Sequence, residues 1–214
     1  MILSRGRRYI FIHIPKTGGT AMALALESRA MKDDIMLGDT PKAKRRRGKV
    51  DTSAALGRLW KHSRLADVAG LATIDEMRQF FVFTLVRNPW DRAVSYYHWL
   101  QLQRFDHPAV ALARTLSFAD FIRHPQTRAA FRAGPASSYV CGPGGEDLCN
   151  LFIRLESHES DAEPLWRHLG FRLSLDRVNV SPRSDDFRRY YSDSDAELIA
   201  QDCAEDIKKF RYIF

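Results

Sequence analysis

Apolar positions along the chain come in short runs broken by polar and glycine-rich turns. Tyr9–Ile14, "YIFIHI", is apolar and β-branched, which predicts a short buried strand. "TAMALALESRAM", residues 20–31, is rich in Ala, Leu and Met and predicts a helix. "FFVFTLV", residues 80–86, offers no polar face and predicts a central strand. Pro89 ends it, and "WDRAVSYYHWLQLQ" continues as a helix. Ser53–Gly70, carrying Trp60, His62 and Leu65, also reads as helical. Ser117 with Asp120 three residues on opens a helix over 118–124. "LFIRL", 151–155, is another buried strand, and 160–169 a helix that Gly170 ends. Ser194 to Glu197 reads as a capping box opening a last helix to about Lys209. Strands alternating with helices predict an α/β fold with a central parallel sheet covered on both faces.

The length of 214 residues suits one such domain, 1–214. No apolar run reaches the ~18 residues of a membrane span, and the apolar start is too short for a signal peptide. Cys141, Cys149 and Cys203 lack metal-ligand spacing. They read as reduced thiols of a cytoplasmic protein, with a Cys141–Cys149 bridge as the lesser alternative. The formal charge of +7 favours anionic partners on encounter. Lys42, Lys44, Arg45, Arg46, Arg47 and Lys49 concentrate that charge within residues 32–52, where Gly and Pro predict a mobile basic loop. A solvated loop accounts for it by default; contact with an acidic glycan or with nucleic acid are the alternatives.

Two turns carry chemistry. In "FIHIPKTGGTAM", residues 11–22, a strand gives way to Pro15, Lys16, Thr17, Gly18, Gly19 and Thr20 before the first helix. Helix starts carry unpaired N–H groups and a positive dipole end. Glycines allow the backbone close to a ligand, Lys16 adds charge, and the threonines add hydroxyls. A Walker A loop places its lysine after the glycines; here it precedes them. Glycines that merely satisfy turn geometry would leave Lys16 and the threonines unexplained. The second turn, "VRNPWDRAVSYY" (86–97), likewise joins a buried strand to a helix. Arg87 and Ser95 could hold a second phosphate there. The plainer reading is an Arg87–Asp91 ion pair at a helix start. Trp90 is assigned to the core rather than to stacking on a base.

"PKTGGT" and "VRNPWDRAVSYY" together resemble the two nucleotide-binding signatures of sulfotransferases that use 3′-phosphoadenosine 5′-phosphosulfate. "KHSRLADVAGL", "LFIRLESHESD", "VNVSPR" and the closing "YYSDSDAELIAQDCAEDIKKFRYIF" are similar, in order, to the carbohydrate-type family 2, the heparan sulfate 2-O-sulfotransferase-like branch. The resemblance implies a P-loop-like three-layer domain related to nucleotide kinases. It implies that the first turn binds the 5′-phosphosulfate and that Arg87 and Ser95 bind the 3′-phosphate. It also implies a histidine base upstream of the second signature, for which His62 is the matching residue, and it makes Arg183 an additional contact.

Transfer of a sulfuryl group to an acceptor hydroxyl is an in-line displacement in which positioning and charge stabilisation dominate. Lys16 would stabilise charge on the bridging oxygen and His62 would take the hydroxyl proton. His13 and His98 are the other histidine candidates, with Asp67 and Glu76 as carboxylate alternatives. No carboxylate or Cys/His cluster has ligand spacing, so no metal is expected. The acceptor reading is a hydroxylated compound, foremost a glycan, with no nucleic-acid partner and no assigned oligomeric state. A nucleotide or small-molecule kinase and a non-catalytic polyanion-binding protein are the competing functions.

Overall fold

The computed structural model describes residues 1–176, 178 and 182–214. In chain order its elements are β1 (Ile2–Ser4), β2 (Tyr9–Ile12), α1 (Gly19–Ser28), β3 (Ile35–Met36), α2 (Pro41–Arg46), α3 (Ile74–Gln79), β4 (Phe81–Val86), α4 (Pro89–Gln101), α5 (Pro108–Thr115), α6 (Phe118–Arg123), α7 (Pro125–Arg132), α8 (Ser137–Val140), β5 (Leu151–Arg154), α9 (His158–Asp161), α10 (Glu163–Leu169), α11 (Asp193–Asp202) and α12 (Ala204–Phe210). Two compact units divide them: residues 1–86 with 136–178, and residues 87–135 with the described residues from 182 on.

The first unit is built on a five-stranded sheet in the order β3-β1-β2-β4-β5. β2, β4 and β5 run parallel, in register Phe11 to Phe83 and Thr84 to Phe152. β1 is antiparallel to both β2 and β3. The expected α/β fold with a parallel centre is therefore present, extended at one edge by β1 and β3, two strands joined through antiparallel pairings that the pattern did not reveal. β1 has three residues and runs into Arg5–Arg8, a hairpin turn with Arg8 at φ 54°. So short a strand before four mostly basic residues carries no readable periodicity.

Alternate strand residues face opposite sides. Tyr9, Phe11, Phe83, Leu85 and Ile153 pack on Met22 and Leu26 of α1 and on Leu165 and Trp166 of α10. Ile10, Ile12 and Val82 pack on Leu65, Val68, Met77 and Val140. The sheet is thus covered on both faces. Thr84, fully buried at its centre, donates its hydroxyl to the Ile12 carbonyl at 2.7 Å.

Ser53–Gly70 is not the expected helix. It is a set of turns with one 3-10 turn at Ala66–Val68. Leu56 N–H donates to the Ala69 carbonyl at 2.9 Å and Gly57 N–H to the Asp67 carbonyl at 3.2 Å, so the segment folds back on itself. Those long-range bonds replace the local ladder a helix would need. Within residues 32–52 lie β3, α2 and a 3-10 turn at Arg47–Lys49. The start of α2 receives the buried Glu27 carboxylate, through Lys42 N–H at 2.8 Å, Ala43 N–H at 3.3 Å and the Thr40 hydroxyl.

The second unit is helical. Trp90, Val94, Tyr97, Phe121, Ile122 and Ile199 form its core. Trp90 is buried as expected and donates its indole N–H to the Ala196 carbonyl at 2.9 Å. The closing segment differs from expectation in two ways. Ser192, not Ser194, is the N-cap, accepting from Asp195 N–H; and the helix divides at Cys203, where φ is −117°. The three cysteines are free thiols. Among the described residues no helix is long and apolar enough to cross a membrane.

Candidate functional site

In the first unit β2 delivers the chain to the turn at Pro15–Gly18. Lys16 (φ 65°) and Gly18 (φ 86°) are both left-handed, which sets α1 off from the strand. Gly18 is the N-cap of α1, makes no side-chain cap bond, and no acid stands in the first turn. The helix start therefore meets neither of the usual side-chain partners for its N–H groups and positive dipole end. A Cβ on Gly18 would lie 2.6 Å from Leu155 Cδ1, and one on Gly19 would lie 2.0 Å from His13 Cδ2. The pair is thus required by conformation at one position and by close approach at the other. Thr17 is 1 % exposed and donates its hydroxyl to the Ile14 carbonyl at 2.9 Å. Its side chain thereby braces the turn from inside.

His13 lies under this turn, 7 % exposed, with its imidazole against Gly19. Burial, then the neighbouring His62, hold its pKa well below the usual histidine value. Its ring is packed beneath the turn, 2.0 Å from where a Cβ on Gly19 would stand. His62 reaches it from the 58–63 turn. Nδ1 of His62 lies 2.7 Å from the His13 carbonyl oxygen, and the two rings meet edge-on at 4.5 Å. A carbonyl only accepts, so Nδ1 carries the proton and the neutral ring keeps its lone pair on Nε2. Burial lowers the His62 pKa to about 4, against the opposing effect of the His13 bond and assisted by Lys61. Lys61 itself is paired with Asp39 at 2.7 Å.

The carboxylate candidates have structural work. Asp67 accepts from Arg64 N–H at 2.8 Å within the turns. Glu76 closes a capping box with Thr73 and pairs with Arg5 at 2.6 Å.

In the second unit Arg87 follows β4 directly and Asn88 caps α4, accepting from Trp90 N–H at 3.1 Å. Arg87 pairs with Asp91 at 2.7 Å, so the plain ion pair exists. It is not the whole arrangement. Arg183 reaches the other oxygen of the same carboxylate at 2.6 Å, and its Nη1 is buried without a hydrogen-bond acceptor among the described residues. Two guanidinium groups on one carboxylate leave a net positive charge, which suits an anion. Ser95 is buried one turn beyond Asp91 on the same face of α4, and His98 lies a further turn on. Burial, then Arg183, hold the His98 pKa low. The expected Arg87–Asp91 pair thus extends to Arg183, so that Asp91 ties two arginines together, a through-space link that no local motif signals. Asn179, Val180 and Ser181 of "VNVSPR" lie outside the described residues.

Among the described residues no group of three His, Cys, Asp or Glu side chains could hold a metal ion. No curated protein sequence matches the chain. Among solved structures it is similar to that of mouse sulfotransferase SULT7A1 complexed with PAP, with 13% identity, a TM-score of 0.47, and coverage of 94% of this chain and 83% of that one. The model of the sulfotransferase family, Sulfotransfer_2, matches residues 1–209, and the chain accordingly belongs to the sulfotransferase family.

Proposed function

We propose that this sulfotransferase takes its sulfuryl group from 3′-phosphoadenosine 5′-phosphosulfate and transfers it to a hydroxyl of a carbohydrate, with His62 as general base. The observation that carries the reading is the position of His13. Its ring lies against the glycine that opens the anion-binding helix start, and its carbonyl holds the proton on Nδ1 of His62. One buried residue thus joins the anion turn and the candidate base.

The donor supplies a sulfuryl group on a phosphate leaving group. At the first turn, the start of α1 and Lys16 receive the phosphosulfate and offset charge developing on the bridging oxygen. His62, neutral through the physiological range, accepts the acceptor's hydroxyl proton at Nε2. A base whose free pKa is about 4 is weak at rest. It becomes effective only as the hydroxyl acidifies during transfer, which restricts proton removal to the reacting complex. In the second unit Arg87 and Ser95, with Arg183, receive the 3′-phosphate. The carbohydrate acceptor, and the heparan sulfate 2-O branch within it, rest on the resemblance of the segments around His62, Arg154 and the closing helices.

The test compares thermal stabilisation by 3′,5′-bisphosphoadenosine with that by ATP–Mg²⁺, then follows labelled sulfate from the donor into a panel of glycans. A ligand at a hundredfold its Kd raises stability by about 2.7 kcal/mol. Stabilisation by ATP–Mg²⁺ alone overturns the donor assignment. His62→Ala should abolish turnover with the bisphosphate still bound; full activity in that variant removes His62 from its role.

A further inference from the structure

Trp60 stands on the same turn as His62 and is 43 % exposed. Its neighbours Leu59 and Leu65 both pack on the apolar cluster beneath the sheet, so an inward route exists that Trp60 does not take. Nor is it loose. Ser63 is fully buried, and its hydroxyl accepts Trp60 N–H at 2.8 Å while lying 2.9 Å from the carbonyl oxygens of both Arg58 and Trp60. This buried hydroxyl pins the turn from inside. The indole therefore stays at the surface on a fixed support, although leaving apolar area wet costs roughly 25 cal/mol per Å².

The surroundings are those of a ring-binding platform. The indole meets the His62 imidazole at 5.0 Å and 83° between planes. The Arg58 guanidinium lies over the indole, 5.1 Å from its centroid. With Nδ1 bound to His13, Nε2 is the nitrogen His62 has for a substrate, and the half-exposed indole of Trp60 meets the same imidazole ring.

We propose that Trp60 is the acceptor platform: a pyranose ring stacks its C–H face on the indole and so brings one hydroxyl to His62 Nε2. Arg58 meets a carboxylate or sulfate on that ring, since its neighbour Lys61 is committed to Asp39. Trp60 then determines which acceptors are taken and His62 what is done to them. The inference rests on the reading of His62 as base.

The chain has four tryptophans, so its ¹⁵N-indole spectrum is simple and Trp60→Phe assigns the relevant signal. The probes are methyl β-D-glucopyranosiduronate, methyl β-D-glucopyranoside and the acyclic polyol sorbitol. The Trp60 signal should move with both pyranosides, at lower concentration with the uronate, and not with sorbitol. His62→Gln should keep that shift while losing turnover. With any pyranoside acceptor that accepts sulfate, Trp60→Leu should raise KM about tenfold, with kcat and bisphosphate affinity little changed. A Trp60 signal unmoved by either pyranoside, or moved equally by sorbitol, overturns the proposal, as does a Trp60→Leu variant that loses kcat at unchanged KM. An active His62→Gln variant instead sinks the base assignment, and the indole shift then tests Trp60 separately.

Discussion

The His62 imidazole donates from Nδ1 to the carbonyl of His13 across 2.7 Å, joining residues 49 apart in sequence. That bond selects the tautomer, leaves the lone pair on Nε2, and ties the orientation of the candidate base to the turn that begins α1.

The first consequence concerns pH. Burial holds the His62 pKa at about 4 in the folded chain, against about 6.5 unfolded. Between these values the unfolded chain binds a proton that the folded chain does not, so stability is lost as pH falls from about 6.5 to about 4. At roughly 1.4 kcal/mol per pH unit, His62 alone accounts for ~3 kcal/mol of loss, and His13, shifted in the same direction, adds to it. Urea unfolding across this range should show the decline, and His62→Gln should flatten part of it. The acid limb of kcat/KM should fall near pH 4 rather than 6.5.

Gly19→Ala separates packing from propensity. Alanine at a helix start would ordinarily gain up to about 1 kcal/mol over glycine. Here the new Cβ would stand 2.0 Å from His13, so the ring must move and the net effect should be a loss of about 1–3 kcal/mol. Turnover should fall further than stability, because displacing His13 disturbs the carbonyl that orients His62. Chemical denaturation and single-turnover rates on the same variant make the comparison.

At Lys16 backbone and charge can be distinguished. Its φ of 65° suits glycine, so Lys16→Gly should keep stability within about 1 kcal/mol. Loss of a cation at the developing charge should lower kcat by about 10²–10³. Bisphosphate affinity, measured by calorimetry, should change far less. Equal losses in affinity and kcat would assign Lys16 to ground-state binding instead.

Arg87→Ala should weaken 3′,5′-bisphosphoadenosine by about 10–100-fold, the size of a charge-assisted contact, and leave AMP unaffected. Asp91→Asn should destabilise the free protein, since two guanidinium groups then lose their shared carboxylate, and the bisphosphate should recover more stability in this variant than in the parent. Thermal shifts with and without each nucleotide check both.

What could be read along the chain was local. A strand followed by two glycines names a tight turn into a helix because each acts on backbone within a few residues of itself, and "FFVFTLV" names a central strand because it has no polar side. The same locality explains the failures. Residues 53–70 look helical by composition, yet Leu56 and Gly57 bond to Ala69 and Asp67 instead. That the Thr17 hydroxyl closes on the Ile14 carbonyl is likewise a contact no pattern along the chain displays.

The sequence by itself determined the α/β alternation and the two strand-to-helix turns with their glycines and basic residues, since apolar runs and glycine conformations are written into neighbouring positions. Tertiary structure alone decided that His13 is buried with its pKa held low, that His62 is bound through Nδ1, that Asp91 serves two arginines, and that Trp60 stays exposed. Burial and through-space contact set tautomer, charge and accessibility, and the residues responsible are distant along the chain.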